Sequence, residues 1–276
     1  MTGRHEAFED LHRAGTFVMP NPWDMGSARV MAALGAKALA TSSAAHAFTL
    51  GRPDMGQVSR DEALAHAEDI VSATPLPVSG DFENGFADDP EGVAETVRLA
   101  GEAGLSGCGI EDTVMVPGNP AYRFDIAVER IRAAADAARA LRRPFVLTAR
   151  ADGVMNGTYD VAEALRRIAA FDDAGAHCIY VPLPPDLAGL KTILAATAKP
   201  VNALAAGSLT RTPHADLAAL GIRRISLGST AARVTHKALV DTMTQVLSEG
   251  DFTALGSGAA GDAIDQLLAE GANLRK

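Results

Sequence analysis

Leu76-Pro-Val-Ser-Gly-Asp-Phe-Glu-Asn-Gly-Phe86 begins as an apolar strand and breaks into two carboxylates, Asp81 and Glu83, followed by a flexible Asn-Gly. A buried strand that ends in two acids asks for a cation. The same design recurs where Gly104-Leu-Ser-Gly-Cys-Gly-Ile110 runs into Glu111 and Asp112, and where Pro144-Phe-Val-Leu-Thr148 leads to Arg150 and Asp152. Three strands thus deliver charge at their C-terminal ends. In a parallel barrel that is the face where the βα loops converge and chemistry is placed. Carboxylates alone would repel one another, so the simplest resolution is a hard divalent ion such as Mg²⁺ that keeps several waters.

Outward from these three stretches, short β-rich runs alternate with helical patterns along the whole chain. The runs are Thr16–Pro20, Ala36–Thr41, Leu76–Gly80, Ser106–Ile110, Phe145–Ala149, Cys178–Val181, Pro200–Leu204 and Arg224–Leu227. Amphipathic segments near 60–72, 90–103, 127–141, 161–174, 187–196, 215–220 and 232–247 lie between or after them, several ending in Gly as helix stops do. Strand and helix repeated eight times is a (β/α)₈ TIM-type barrel. Ser59-Arg-Asp-Glu62 offers a capping box, and Asp89-Pro90 places proline at a first helical position. The expected organisation is one barrel domain over 1–276, with an added N-terminal helix near 6–14. A Gly-rich hinge and final helix occupy 256–276; that helix either covers its own barrel or is swapped onto a neighbouring subunit.

With 47% hydrophobic and 21% charged residues, the chain has enough apolar material for a barrel-sized core. No apolar stretch reaches the roughly 18 to 20 residues of a membrane span, and the N-terminus has no signal-like apolar core. The expected location is the cytoplasm. Cys108 and Cys178 sit inside apolar strand runs, where a small buried hydrophobe is the natural reading. A formal charge of -9 without a Lys/Arg cluster excludes a nucleic-acid footprint. A small anionic substrate must therefore be held by local positive charge.

The order of motifs resembles the isocitrate lyase and phosphoenolpyruvate mutase superfamily: Thr41-Ser-Ser-Ala44, Gly51-Arg-Pro-Asp54, Asp81-Phe-Glu-Asn-Gly-Phe86, Gly109-Ile-Glu-Asp112 and Thr148-Ala-Arg-Ala-Asp152. The resemblance implies a barrel, commonly tetrameric with exchanged C-terminal helices, that binds Mg²⁺ or Mn²⁺ and an α-oxo or α-hydroxy carboxylate. Carried over by position, it implies metal-shell roles for Asp81, Glu83 and Glu111, with Asp54 reaching the same water network. Ser43 and Ala44 match the family's carboxylate cradle, and Arg150 its strand-five arginine. An arginine there makes physical sense, because it grips a carboxylate with paired N–H donors.

Departures from the family pattern narrow the activity. Isocitrate and methylisocitrate lyases carry a Lys-Lys/Arg-Cys-Gly-His loop after their Glu-Asp, with the cysteine as acid; here Thr113-Val-Met-Val-Pro-Gly-Asn-Pro-Ala-Tyr122 has no Cys, Lys or His. Phosphoenolpyruvate mutases place a lysine and an asparagine in this loop. Asn119 stands at the asparagine's spacing, but Pro117 replaces the lysine. The leading expectation is Mg-dependent C–C cleavage of a small 2-oxo or 2-hydroxy acid, by retro-aldol lysis or decarboxylation. P–C chemistry is the alternative, and a catalytically silent 2-oxo-acid binder a third. Candidate catalytic residues are Asp54, Arg150 and Tyr122; candidate substrate contacts are Ser43, Ala44, Asp81, Arg150, Asn119 and Asn202. The general base stays open between a water beside Asp54 or Glu83 and Tyr122 closing from the loop. Asp112 and Asp152 read more simply as supporting partners or caps.

Overall fold

The computed structural model describes residues 3–274 and forms a strand from each of the eight runs. These are β1 (Phe17–Met19), β2 (Leu39–Ala40), β3 (Val78–Asp81), β4 (Gly107–Glu111), β5 (Val146–Arg150), β6 (Cys178–Tyr180), β7 (Val201–Leu204) and β8 (Arg224–Ser226). All pairings are parallel, in the order β1-β8-β7-β6-β5-β4-β3-β2. The β1–β2 seam has no ladder; there Ala40 N–H donates to the Pro20 carbonyl (3.1 Å) and Asn21 Nδ2 to the Thr41 carbonyl (2.8 Å). The result is a nearly closed (β/α)₈ barrel.

The helices in chain order are α1 (Arg4–Arg13), α2 (Met25–Ala33), α3 (Ser43–Thr49), α4 (Arg60–Ala73), α5 (Pro90–Glu102) and α6 (Phe124–Ala140). They continue with α7 (Gly153–Asn156), α8 (Val161–Asp173), α9 (Leu187–Ala195), α10 (His214–Ala219), α11 (Thr230–Thr244) and α12 (Gly261–Ala272). Both foreseen caps form: Ser59 and Glu62 make a reciprocal box at α4, and Asp89 Oδ1 accepts from Gly92 N–H (2.7 Å) behind Pro90 at α5. The sequence reading did not foresee α2 or α3. Both bury alanines (Ala28 and Ala32 on α2, Ala44, Ala45 and Ala47 on α3), so neither carries the stripe of large apolar residues that announces a helix.

Two apolar clusters result. The larger lies between strands and helices, and the smaller fills the barrel's lower half with Phe8, Phe17, Met19, Ala38, Ala40, Val146 and Cys178. Helix α1 supplies the plug: Phe8 is fully buried, a contribution of about 1.5–3 kcal/mol. Cys108 and Cys178 are free and buried. Helix α12 packs on α2 of its own chain, and Gly271 permits the approach, since a Cβ there would stand 1.9 Å from the Arg29 carbonyl oxygen. Helix α11 leaves Val234, Leu239 and Val240 exposed at 65%, 58% and 60%. Among the described residues, no helix is long and apolar enough to cross a membrane.

Candidate active site

At the end of β3, Thr41 Oγ1 accepts the Asp81 N–H (2.8 Å) and so aims the strand's last residue into the barrel mouth. The Asp81 carboxylate is then held on both sides. Its Oδ2 accepts from Ser43 N–H and from Ser43 Oγ, each at 2.9 Å, while Arg150 Nη1 donates to Oδ1 at 2.6 Å. Of the two adjacent serines, Ser42 caps α3 by accepting from Ala45 N–H (3.3 Å), which frees Ser43 for the site.

Parallel register sets Glu111 on β4 beside Arg150 on β5. The guanidinium therefore spans three acids, at 2.6 Å from Asp81, 2.8 Å from Glu111 and 2.6 Å from the fully buried Asp152. Glu83 follows β3 in a left-handed turn (φ 46°). Its Oε1 accepts from Gly56 N–H (3.0 Å), and its side chain lines pockets beside the barrel cavity instead of the cavity itself. Burial pushes the Glu83 carboxyl up to about 7, and the same cause holds Glu111 well above the usual carboxylate range despite Arg150.

Two buried oxygens, Glu83 Oε2 and Glu111 Oε2, have no hydrogen-bond partner. Asp54, Asp81, Glu83, Glu111 and Asp152 also outnumber the two guanidiniums of the cavity, Arg150 and Arg224. Orphaned carboxylate oxygens and excess negative charge are what a hard divalent ion satisfies. Among the described residues, no three acids converge tightly enough to ligate an ion directly. That suits an ion held by one or two carboxylates with water in its other positions, the preferred environment of Mg²⁺. The donor set fits the cation inferred from the sequence.

The cavity at the barrel mouth has a volume of about 160 Å³. Of the residues proposed from sequence, Ser43, Ala44, Asp54, Asp81, Glu111, Arg150 and Asn202 line it. Asp54 sits exposed at the rim, where its carboxylate accepts the Met55 amide (2.8 Å). Asn119 and Tyr122 do not line the cavity. Tyr122 OH donates to Asp88 and accepts from Asn84 Nδ2 (2.9 Å), and its ring lies 4.0 Å from the Arg130 guanidinium. In this arrangement the phenol holds the loop base rather than reaching for substrate.

Among the lining residues not proposed from the sequence, Tyr180 and Arg224 bring titratable side chains to the cavity. Tyr180 on β6 lies in register between Arg150 and Asn202, with its ring centroid 5.0 Å from Arg150 Cζ. Arg224 on β8 is 3% exposed; its Nε donates to Asn202 Oδ1 (2.9 Å) and its Nη2 to Thr148 Oγ1 (3.0 Å). Asn202 Nδ2 in turn donates to Ser226 Oγ (2.8 Å). Period-two alternation on β6 and β8 was the available signal, because residues of one parity face the barrel axis.

Fold and site together define a class: a (β/α)₈ barrel whose C-terminal mouth gathers carboxylates around one arginine. The phosphoenolpyruvate phosphomutase family profile matches residues 8–247, and the chain belongs to that family, within the isocitrate lyase and phosphoenolpyruvate mutase superfamily. It is 34% identical to an oxaloacetate decarboxylase of Paraburkholderia xenovorans, over 97% of this chain and 88% of that protein. It is 32% identical to the 2,3-dimethylmalate lyase of Eubacterium barkeri, over 86% of this chain and 83% of that protein. Among solved structures, a Burkholderia cenocepacia J2315 protein whose assignment as a lyase or mutase is itself inferred superposes with a TM-score of 0.93 at 42% identity, covering 98% of this chain and 97% of that one.

Proposed function

We propose that this chain is a divalent-metal-dependent lyase that cleaves a C–C bond in a small 2-oxo or 2-hydroxy carboxylate, by retro-aldol reaction or decarboxylation, through an enolate. The observation that carries the reading is the convergence of Ser43, Asp81, Glu111 and Arg150 on one cavity, with an orphaned Glu111 oxygen beside it. The named activities of the decarboxylase and dimethylmalate lyase relatives support the same chemistry.

Asp81 and Glu111, with Glu83 on the adjoining wall, are the residues that would hold Mg²⁺ or Mn²⁺. When bound, such an ion supplies Lewis-acid stabilisation of the charge that develops as the enolate forms. Arg150 binds the substrate carboxylate through two N–H donors, giving up part of its present contact with the acids. The Ser43 N–H and hydroxyl supply further donors beside it, and Asn202 Nδ2 faces the same cavity with its orientation fixed by Arg224. Asp54, exposed at the rim, is placed to take the proton of a substrate hydroxyl in retro-aldol cleavage.

The matching family profile favours a second reading, phosphoenolpyruvate mutase or phosphonopyruvate hydrolase chemistry on a P–C bond. Pro117 in the lysine's place weighs against it, since transfer of a phosphoryl group wants a cation there. The loop from Thr113 to Tyr122, without Cys, Lys or His, keeps a third reading open, a barrel that binds 2-oxo acids without turnover. A turnover panel of oxaloacetate, substituted malates, methylisocitrate and phosphonopyruvate, with and without Mg²⁺, separates them. Metal-dependent pyruvate or glyoxylate supports the lyase; phosphate from phosphonopyruvate promotes the second reading, and oxalate binding with no turnover of any substrate promotes the third.

The exposed apolar side chains of α11 support the proposal that the protein assembles as a homo-oligomer, and the family resemblance supports a tetramer. Deleting residues from Gly261 onward is the test, with an unchanged elution volume on a sizing column arguing against a role for α12 in assembly.

A further inference from the structure

Cleavage through an enolate needs a proton delivered to carbon; the loop from Thr113 to Tyr122 has no Cys, Lys or His, and its one phenol, Tyr122, donates to Asp88 away from the cavity. The donor must then come from the cavity wall. Asp81 has both oxygens engaged as acceptors, and Glu111 has one on Arg150 and one, buried without a partner, that the proposed function assigns to the ion. Arg150 and Arg224 do not give up protons at physiological pH. Asp54 lies at the exposed rim, where it serves the substrate hydroxyl. The serine and threonine hydroxyls of the wall are far weaker acids than a phenol, which leaves Tyr180 as the wall residue with a usable proton. Tyr180 is 8% exposed, lines the cavity, and stands in register between the anion grip Arg150 and the substrate-facing Asn202.

We propose that the Tyr180 hydroxyl is the acid that protonates the enolate carbon, an assignment that rests on the lyase reading above. A substrate carboxylate held by Arg150 brings the carbon two bonds away toward the Tyr180 ring, which lies 5.0 Å from the same guanidinium. The step balances as follows. The breaking C–C bond leaves its electron pair in the enolate; the enolate π pair then takes the phenol proton, forming a C–H bond and leaving Tyr180 as phenolate. The phenolate recovers a proton from solvent before the next turnover. Burial keeps the phenol protonated beforehand, raising its pKa above the ordinary phenol value, while Arg150 and Ser226 favour the transient anion.

The test is Tyr180→Phe in the full chain with Mg²⁺. One readout is exchange of the pyruvate methyl protons for deuterium in D₂O, followed by NMR; it runs the same proton transfer in reverse. The other is oxalate affinity by calorimetry. The expected result is a loss of exchange of about 10²-fold or more, with oxalate affinity and thermal midpoint nearly unchanged. Replacing Tyr180 with a ring-fluorinated tyrosine, which ionises at lower pH, is expected to move the rising limb of the exchange profile to lower pH, since the phenolate is the base in this direction. Exchange in Tyr180→Phe within about threefold of the unaltered protein, or a fluorotyrosine profile that does not move, overturns the assignment. An unaltered protein that binds oxalate yet exchanges nothing overturns the lyase reading itself, and the assignment with it.

Discussion

Arg150 Nη1 lies 2.6 Å from Asp81 Oδ1 in a sheltered pair, with side-chain exposures of 12% and 20%. Because the same guanidinium also meets Glu111 and Asp152, it neutralises a cluster of acids in the resting site and is the natural grip for an incoming carboxylate. Arg150→Lys keeps the charge but loses the planar fork, and a single ammonium cannot span three acids or bind a carboxylate through paired donors. The expected outcome is oxalate binding weakened by about tenfold or more, near 1.4 kcal/mol, measured by calorimetry with Mg²⁺. Equal affinity in the variant would remove Arg150 from the anion grip.

Glu83 gives the metal-free protein a pH dependence whose sign is fixed. Burial raises its folded pKa from 4.5 to about 7. Between those values the folded state holds a proton that the unfolded state has lost, so stability falls as pH rises through this window and levels off above it. At about 1.4 kcal/mol per pKa unit the effect is a few kcal/mol. Glu83→Gln is expected to flatten this fall in thermal midpoint, measured with a chelator present. A variant that retains the full slope between pH 4.5 and 7 would assign it to other groups.

The strands were legible because each is a short apolar run bounded by turn residues, and the charges at the tips of β3, β4 and β5 marked the mouth. Helix α2 was hidden by its composition, Met-Gly-Ser-Ala-Arg-Val-Met-Ala-Ala, although Asp24 and Ser27 form a capping box that a closer local reading detects. Ser42 and Ser43 are interchangeable in the sequence; only the contact with Asp81 separates cap from site. Tyr180 reads as an ordinary strand aromatic, and Arg224 as half of an Arg-Arg pair at the edge of β8. Strand parity could mark them as inward-facing, but that they stand beside Arg150 and Asn202 depends on register across β5 to β8, which local pattern does not contain.

Asp112 shows how an acid next to the site serves the fold. It is 2% exposed and accepts from Asp152 N–H (2.8 Å), Tyr159 OH (2.7 Å) and Arg167 Nη1 (2.9 Å). Gly153 makes the Tyr159 contact possible, since a Cβ there would lie 2.1 Å from the ring. Asp112→Ala takes from the buried Arg167 guanidinium one of its two carboxylates, leaving Glu163 at 2.8 Å, a loss on the order of 2–3 kcal/mol and of roughly 5–10 °C in thermal midpoint for a chain of this size. Unchanged thermal stability combined with lost oxalate binding would instead make Asp112 part of the binding site.

Arg224 poses the opposite case, a buried charge with neutral partners. Among the described residues no carboxylate pairs with it; Asn202, Thr148 and His12 surround it, and burial, reinforced by Arg224 itself, lowers His12 to about 3, so the imidazole is neutral. Replacing such a charge with an apolar side chain of similar volume is often near neutral for stability. What Arg224→Met removes is the N–H that holds Asn202 Oδ1, and with it the reason Asn202 presents its Nδ2 toward Ser226 and the cavity. The expected outcome is a thermal midpoint within a few degrees of the parent and oxalate binding weakened about fivefold, near 1 kcal/mol. A double-mutant cycle with Asn202→Ala tests the connection: if Arg224 acts through Asn202, the two losses couple by more than about 0.5 kcal/mol, whereas additive losses would place Arg224 in direct contact with the ligand's field instead.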